Sequence, residues 1–473
     1  MDADFLRLAT SDDTSATIPC AIRIKASEHS SRIPTHIILL IDVSESMTDD
    51  RKLANVKKCA ASILNFLNES DTVSLITFGE QATLHLKQVP ADQLHKDSIR
   101  SRIEELHVDG CTNLSAGLGL VHEACEGSSQ KCGLLLLTDG HANRGVADPS
   151  ALRDIVGVLR ERFNNLSIHC VGYGHDHNAD LLQQIAQSIQ GSYNVVNSIE
   201  DTAFAFGETL GGLMSCAYQN CLVSVPMGSI VHGPYLTRNS SQNDSRMDIV
   251  IGDIYSGTKP LILVDIPRVE LTTSSEPLVT ITAIQLPSFT TIRLHPIPTD
   301  VHTRQQDVEL TRLRYSCTDI LHAIKNIRRH DSMTMESITE RINTFANQCA
   351  DPFLDGHPIT KLLREEVTTM RTMLQQAQMG GVDHATSVLA TQHITSIALG
   401  RGFSSPVTRD PRRMHRLNSF RRMTARSISP EPEDENPQVV EDGASIHEGQ
   451  FAFQNTLQSQ IATLMREQSQ QSE

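Results

Sequence analysis

The sequence predicts an α/β protein. A doubly wound, mostly parallel sheet spans residues 34–215, an antiparallel β-sandwich follows over 216–300, and a helical hairpin or bundle occupies 301–400. Three observations carry this reading. Short oily runs alternate with helix-period patterns in the first segment. In the second, the period falls to two, with Gly, Pro, Ser and Asn between the runs. In the third, apolar residues return to steps of three and four.

The elements follow in order. The opening MDADFLRLATSDD is acidic and polar, so residues 1–16 are expected to be disordered. TIPCAIRIKA (17–26) is a strand with no neighbour in sequence, and the segment 17–30 is expected to cross over and join the sandwich. Strands are read at 36–41, 72–78, 82–87, 132–138, 167–172 and 192–197, with helices near 51–68, 95–107, 114–126, 150–164, 178–189 and 200–214. HIILLI and LLLL are oily at successive positions, as parallel strands covered on both faces require. CLVSV, MDIVIGDI, LILVDI, LVTITAIQL and TTIRL supply the sandwich.

Three apolar stripes mark the helical unit: Leu313, Cys317, Ile320, Ile324 and Ile327; Ile338, Ile342, Phe345 and Cys349; Leu363, Val367, Met370 and Leu374. Core packing is their commoner use, with a coiled-coil partner site as the alternative. Residues 401–473 read as a disordered tail. Seven arginines stand against one acid in 409–426, and six acids follow in 431–442. A short helix over 450–467, with Phe453, Leu457, Ile461 and Leu464 on one face, is expected to fold on a partner.

Composition narrows the function. The net charge of −15 argues against general nucleic-acid or anionic-membrane binding, and 4% aromatics with no Trp argue against base stacking. No two of the ten cysteines have C-x-x-C spacing, so zinc knuckles are not indicated. The oily runs are far too short to cross a bilayer, and the opening residues do not read as a signal peptide. An intracellular, cytoplasmic protein with reduced thiols is expected, with nuclear entry left open.

The chemistry concentrates in HIILLIDVSESMT (36–48). An oily strand delivers Asp42 to the carboxyl edge of the sheet, where doubly wound folds bind ligands. Asp42, Ser44 and Ser46 are two residues apart and can converge on one point in an extended loop. LLLLTDG (134–140) ends the same way in Asp139, and DGCTNLSAG (109–117) offers Thr112 just before a helix. Two carboxylates and three hydroxyls suit a hard cation, Mg²⁺ or Mn²⁺, with Ca²⁺ as a further candidate. Such a set undercompensates a divalent charge and leaves it open to an outside carboxylate.

DVSESM, a Thr in a Gly-flanked loop and LTDG together resemble the metal-ion-dependent adhesion site of von Willebrand factor A domains. The resemblance implies that Ser44, Ser46 and Thr112 ligate the metal, with Asp42 and Asp139 bonding directly or through water. The family pattern has Gly between the serines; this chain has Glu45, which can tighten the site, occlude it or face solvent. GETLGGLMSCAYQNCLVSV (207–225), GDIYSGTKPLILVDIP (252–267), DVELTRLRYSCTDIL and the stretch toward HATSVLATQHITSIALGRGF are similar to the A-domain-interacting module of plant and fungal proteins. The similar plant proteins are RING-type ubiquitin ligases. Before the A domain this chain offers only Cys20 and His29, so the resemblance does not extend to ligase activity. It implies a non-enzymatic scaffold that binds a partner's exposed Asp or Glu, with a ubiquitin-pathway protein among the expected partners.

Competing readings remain. A metal-free A-domain scaffold is one. A phosphatase-like hydrolase with Asp42 as nucleophile is another, but Ser44 stands where that chemistry wants a second carboxylate, and no motif marks a phosphate-binding lysine. GYGHDHN (172–178) is read as a solvated loop with Asp176 or Asn178 capping the next helix, not as a histidine metal site. His141 and Asn143 are candidates for the binding rim. GLGL (117–120) and ETLGGL (208–213) lack phosphate-loop spacing. The arginine block is read as a solvated charge run, with Ser419, Thr424 and Ser429 as candidate phosphorylation sites.

Overall fold

The computed structural model describes residues 1–8, 15–26, 32–139, 142–174, 177–188, 191–196, 199–233, 235–240, 245–268, 277–327, 332–380, 390, 391, 461 and 465. Two strands open the chain, β1 (Asp2–Leu8) and β2 (Thr17–Lys25), and both belong to the second domain. The first domain begins at β3 (Thr35–Asp42), every residue of which is buried. It continues with β4 (Thr72–Phe78), β5 (Ala82–Pro90), β6 (Lys131–Thr138), β7 (Leu166–Tyr173) and β8 (Tyr193–Val196). Their order in the sheet is β5-β4-β3-β6-β7-β8. All neighbours run parallel except β4 and β5.

Alternation along β3 assigns its two faces. Ile37, Leu39 and Ile41 pack on one side with α1 (Lys52–Ile63), α2 (Gln93–Glu104) and, in chain order further on, residues 203–214. Ile38 and Leu40 pack on the other with α3 (Leu114–Cys125), α4 (Pro149–Arg162) and α5 (Ala179–Ser188). The last helix, α6 (Ile199–Met214), closes the first face. Each such buried Ile or Leu contributes about 1.5–3 kcal/mol. Helix starts follow side-chain chemistry: Asp148 accepts from the Ala151 amide ahead of Pro149, Asn113 from Ala116, and Asp92 from Leu94 and His95. From β3 the chain winds outward through β4 and β5, then restarts at β6 on the other side. The switch point therefore lies between β3 and β6, the strands that end in Asp42 and lead into Asp139.

The second domain is a sandwich of two five-stranded sheets. Its remaining strands are β9 (Cys216–Pro226), β10 (Ile230–His232), β11 (Leu236–Asn239), β12 (Arg246–Tyr255), β13 (Leu261–Pro267), β14 (Thr280–Gln285), β15 (Thr290–Leu294) and β16 (Pro298–Val301). One sheet has the order β10-β13-β2-β1-β16 and the other β11-β12-β9-β14-β15. β2 joins the sandwich between β13 and β1. The expectation of a disordered start over 1–16 is corrected for β1: Phe5 and Leu6 are buried, and Phe5–Leu8 pairs in parallel with Pro298–Val301. That partner lies almost 300 residues away, so local composition carries no sign of it. Residues 9–14 lie outside the described residues.

Three helices follow, α7 (Gln306–Lys325), α8 (Ser332–Cys349) and α9 (Pro358–Gly380). All three apolar stripes read from sequence meet in one core. The parts are tied by polar contacts. Lys131 at the start of β6 bonds Asp253 of β12 at 2.5 Å, Arg23 of β2 bonds Asp307 of α7 at 2.5 Å, and Lys325 pairs with Asp180 of α5.

Of the tail, only Ile461 and Met465 are described. Both are helical and buried in the first domain's core, beside residues of α1 and α6. Ile461, on the face expected to meet a partner, packs instead in this chain's own core. The rest of that predicted face, Phe453, Leu457 and Leu464, lies outside the described residues, as do the arginine block, Ser419, Thr424, Ser429 and the acidic run.

Candidate functional site

Three loops meet at the switch point, and backbone bonds stitch them. After β3, the Val43 amide donates to Phe78 O at 2.9 Å, and Val43 O accepts from the Asp109 amide at 2.6 Å. The Glu45 amide donates to Gly110 O at 2.9 Å. The Asn113 amide donates to Gly79 O at 3.0 Å, just beyond β4. Thr112 is held to the third loop on both sides: its amide donates to Asn143 Oδ1 at 2.8 Å, and its carbonyl accepts from the Asn143 and Arg144 amides. Asn143, a rim candidate in sequence, is thus a clamp on Thr112. His141 lies outside the described residues.

Gly79 makes the close approach feasible. A Cβ there would sit 2.1 Å from Asp109 O, so only glycine lets the β4 end touch the Thr112 loop.

The side chains converge within this frame. Asp42 has no exposed surface; Oδ1 accepts from the Ser44 amide at 2.9 Å and Oδ2 from Thr138 Oγ1 at 2.6 Å. Burial pushes its carboxyl up to about 6; the Ser44 and Thr138 hydrogen bonds oppose this, and the nearby Asp139 charge adds to it. Ser44 Oγ and Ser46 Oγ are 3.2 Å apart, and Ser46 Oγ donates to Asp139 Oδ1 at 2.7 Å. Thr112 and Asp139 are both buried, at 4% and 3% exposure. Asp42, Ser44, Ser46 and Asp139 are thus linked by hydrogen-bond contacts and charge, while Thr112 is tied to them through the backbone bonds of its loop.

Sequence reasoning missed two participants. Thr138, the last residue of β6, orients Asp42. Lys52 donates to Asp139 Oδ2 at 2.6 Å, with the lysine side chain 15% exposed. Lys52 opens α1 directly after Arg51, whose φ of 58° breaks the chain between a short 3₁₀ turn (Glu45–Arg51) and the helix. That bend is a tertiary feature with no local signal.

Glu45 is exposed, and its φ is not positive, so the Gly-to-Glu departure from the family pattern imposes no backbone strain. The rim also carries a Glu80–Arg144 pair at 2.8 Å and Cys111, whose thiol is pushed up by a hydrogen bond to Glu80 and by burial and charge around it.

The donor set fits a hard cation: two carboxylates and three hydroxyls, with neither thiol nor imidazole among them. Among the described residues, no group of three or more His, Cys, Asp or Glu could hold a metal, so hydroxyls must supply part of any coordination. His177, read as part of a solvated loop, is instead buried and bonded to Tyr193 Oη at 2.5 Å. Its ring lies against Gly172 of β7, where a Cβ would be 2.3 Å from Nε2. Asn178 caps α5 through the Leu181 amide. His175 and Asp176 lie outside the described residues. A separate cleft of about 530 Å³ between α4 and the sandwich is lined by Arg160, Glu161, Arg238 and Ile284, with none of the five residues near it.

Residues 36–205 match the von Willebrand factor type A domain family. This chain contains a von Willebrand factor type A domain. The chain is similar to part of an uncharacterized protein of Synechocystis, 27% identical over 234 residues, which are 49% of this chain and 54% of that one. It is also similar to inter-alpha-trypsin inhibitor heavy chain H1 of Sus scrofa, 27% identical over 188 residues, 38% of this chain and 20% of that protein. The chain thus spans about half the length of the first relative and a fifth of the second. In structure, it resembles a von Willebrand factor type A protein of Catenulispora acidiphila. The TM-score is 0.58 at 14% identity, over 84% of this chain and 96% of that one, a likeness of fold that reaches well beyond the A domain.

Proposed function

We propose that the protein is a non-enzymatic interaction scaffold whose A domain docks an acidic side chain of a partner protein through a divalent cation. The observation that carries this reading is the linked set Asp42, Ser44, Ser46 and Asp139 at the switch point, with the Thr112 loop stitched beside it by backbone hydrogen bonds. In this reading Ser44, Ser46 and Thr112 hold the ion, and Asp42 and Asp139 hold it directly or through water. The bound ion, Mg²⁺ or Mn²⁺ by donor hardness, supplies an electrophilic contact for one carboxylate oxygen. Thr138 and the Ser44 amide keep Asp42 aimed, and Asn143 keeps Thr112 in place. The sandwich and helices brace the A domain, as the resemblance to an A-domain-interacting module suggests. A cytoplasmic setting and a ubiquitin-pathway partner belong to the same proposal and rest on that resemblance and on composition alone.

The hydrolase alternative fares worse. Asp42 has no exposed surface, and Ser44 stands where that chemistry needs a second carboxylate as general acid. Titration calorimetry with Mg²⁺ and with Mn²⁺ tests the main reading. Wild-type protein should bind one ion and Asp42→Ala none. Equal ion binding by both proteins would refute it, and turnover of a phosphate ester dependent on Asp42 would favour the enzyme.

A further inference from the structure

We infer that the Lys52 ammonium is a resident cation of the A-domain site, which weakens divalent-ion binding in the absence of partner and couples ion binding to capture of a carboxylate. The inference rests on the metal-assisted reading above and concerns how that site is set.

The geometry is explicit. Asp139 has a fully buried side chain, and both its oxygens are taken: Oδ2 by Lys52 Nζ at 2.6 Å and Oδ1 by Ser46 Oγ at 2.7 Å. Ser46 Oγ in turn lies 3.2 Å from Ser44 Oγ. The ammonium is therefore joined to the candidate ligands by one continuous chain of contacts. Lys52 is also fixed in direction, because it is the first residue of α1 and follows the left-handed turn at Arg51. A long surface lysine would have other options; this one is mostly covered and ends on a buried carboxylate.

Charge then decides the consequence. Asp42 and Asp139 bring two negative charges and Lys52 one positive. A divalent ion added to these three gives a net charge of +1; without Lys52 the same site is neutral. Lysine therefore penalises the ion-loaded site while it waits for a partner, and an arriving carboxylate removes the penalty. By linkage, carboxylate binding strengthens ion binding by the same factor that the ion strengthens carboxylate binding. Repulsion between a unit charge and a divalent ion held by one carboxylate amounts to about a tenfold factor or more even with water-like screening.

The test is calorimetry of Mn²⁺ and of Mg²⁺ with the full chain, as wild type, Lys52→Gln, Lys52→Arg and Asp42→Ala. Lys52→Gln is expected to raise the association constant about tenfold or more. Lys52→Arg keeps the charge and should stay within about threefold of wild type. Millimolar acetate should strengthen Mn²⁺ binding in wild type more than in Lys52→Gln. In metal-free buffer Lys52→Gln should melt lower, since Asp139 loses its counter-charge, and added Mn²⁺ should recover more than it does in wild type. A purely structural lysine would lower the melting temperature without changing ion affinity. If wild type and Lys52→Gln bind equally while Asp42→Ala does not bind, the lysine inference falls and the metal reading stands. If neither wild type nor Lys52→Gln binds, both fall. Binding by Lys52→Gln alone would support the inference in its strongest form, a site closed by its own lysine.

Discussion

Removing the Lys131 ammonium is expected to destabilise the protein by about 3–5 kcal/mol, because it strands a buried carboxylate at the seam between the two β domains. Lys131 starts β6 of the A domain, and its Nζ lies 2.5 Å from Asp253 Oδ2 on β12 of the sandwich. The two side chains are 1% and 3% exposed. Burial alone would pull the lysine pKa down; the Asp253 charge, with smaller help from its surroundings, outweighs it and the net direction is up. The gross attraction at this separation is on the order of 7 kcal/mol at an effective permittivity of ~20. Desolvating both ions cancels most of that, so the pair as a whole contributes little. The asymmetry is the informative part. Among the described residues Asp253 Oδ1 has no hydrogen-bond partner, so without Lys131 only the weakly donating Cys216 thiol is left beside the carboxylate. Lys131→Met should therefore lose about 3–5 kcal/mol, while Lys131→Met with Asp253→Leu should return to within about 1 kcal/mol of wild type. Urea unfolding followed by circular dichroism measures both. Because the pair spans two domains, any separate transitions should move together. A single variant that costs less than about 1 kcal/mol, or a double variant as unstable as the single, would refute the argument.

Three further outcomes follow from the site. Asp42 has a native pKa raised to about 6, above its ordinary value of 3.8, so the folded chain holds a proton that the unfolded chain releases. Stability in chelator should fall as pH rises from about 4 to 6, by roughly 3 kcal/mol in all, and Asp42→Asn should flatten this dependence in melting curves. Gly79→Ala should displace the Thr112 loop, since its Cβ would meet backbone oxygen at 2.1 Å; a loss of about 2 kcal/mol or more and weaker Mn²⁺ binding are expected by melting and calorimetry. Of the ten cysteines only Cys111 is not buried, so native protein treated with iodoacetamide should gain one adduct by mass spectrometry, slowly at neutral pH because the thiol is pushed up beside Glu80. Glu80→Gln should speed that labelling.

Much of the site was legible in the chain itself. Asp42, Ser44 and Ser46 follow one strand at two-residue spacing, and Asp139 repeats the pattern at the end of another. A strand of known direction fixes where its last residue emerges, so both carboxylates could be assigned to one edge. Thr138 and Lys52 could not be found this way, and Asn143 was legible as a rim residue but not as the clamp on Thr112. A threonine at a strand end, an asparagine in a loop and a lysine at a helix start are each ordinary in sequence, and their partners lie 96, 31 and 87 residues away. The buried His177 was misread for the same reason: a polar loop sequence conceals a Tyr193 hydroxyl 16 residues on.

What the sequence determined by itself is what depends on period and short-range chemistry. Oily runs in pairs of faces, helical stripes at three and four, and oxygen-only side chains at strand ends sufficed for the α/β class and for most of the candidate donors. Tertiary structure decided what depends on non-local pairing: β1 closing on β16, Ile461 and Met465 returning to the first core, Lys131 meeting Asp253, and Lys52 reaching Asp139. Local pattern is set by the chain's own geometry over a few residues. Contacts across hundreds of residues are chosen only when complementary surfaces and charges are brought together, and a linear reading contains no coordinate for that choice.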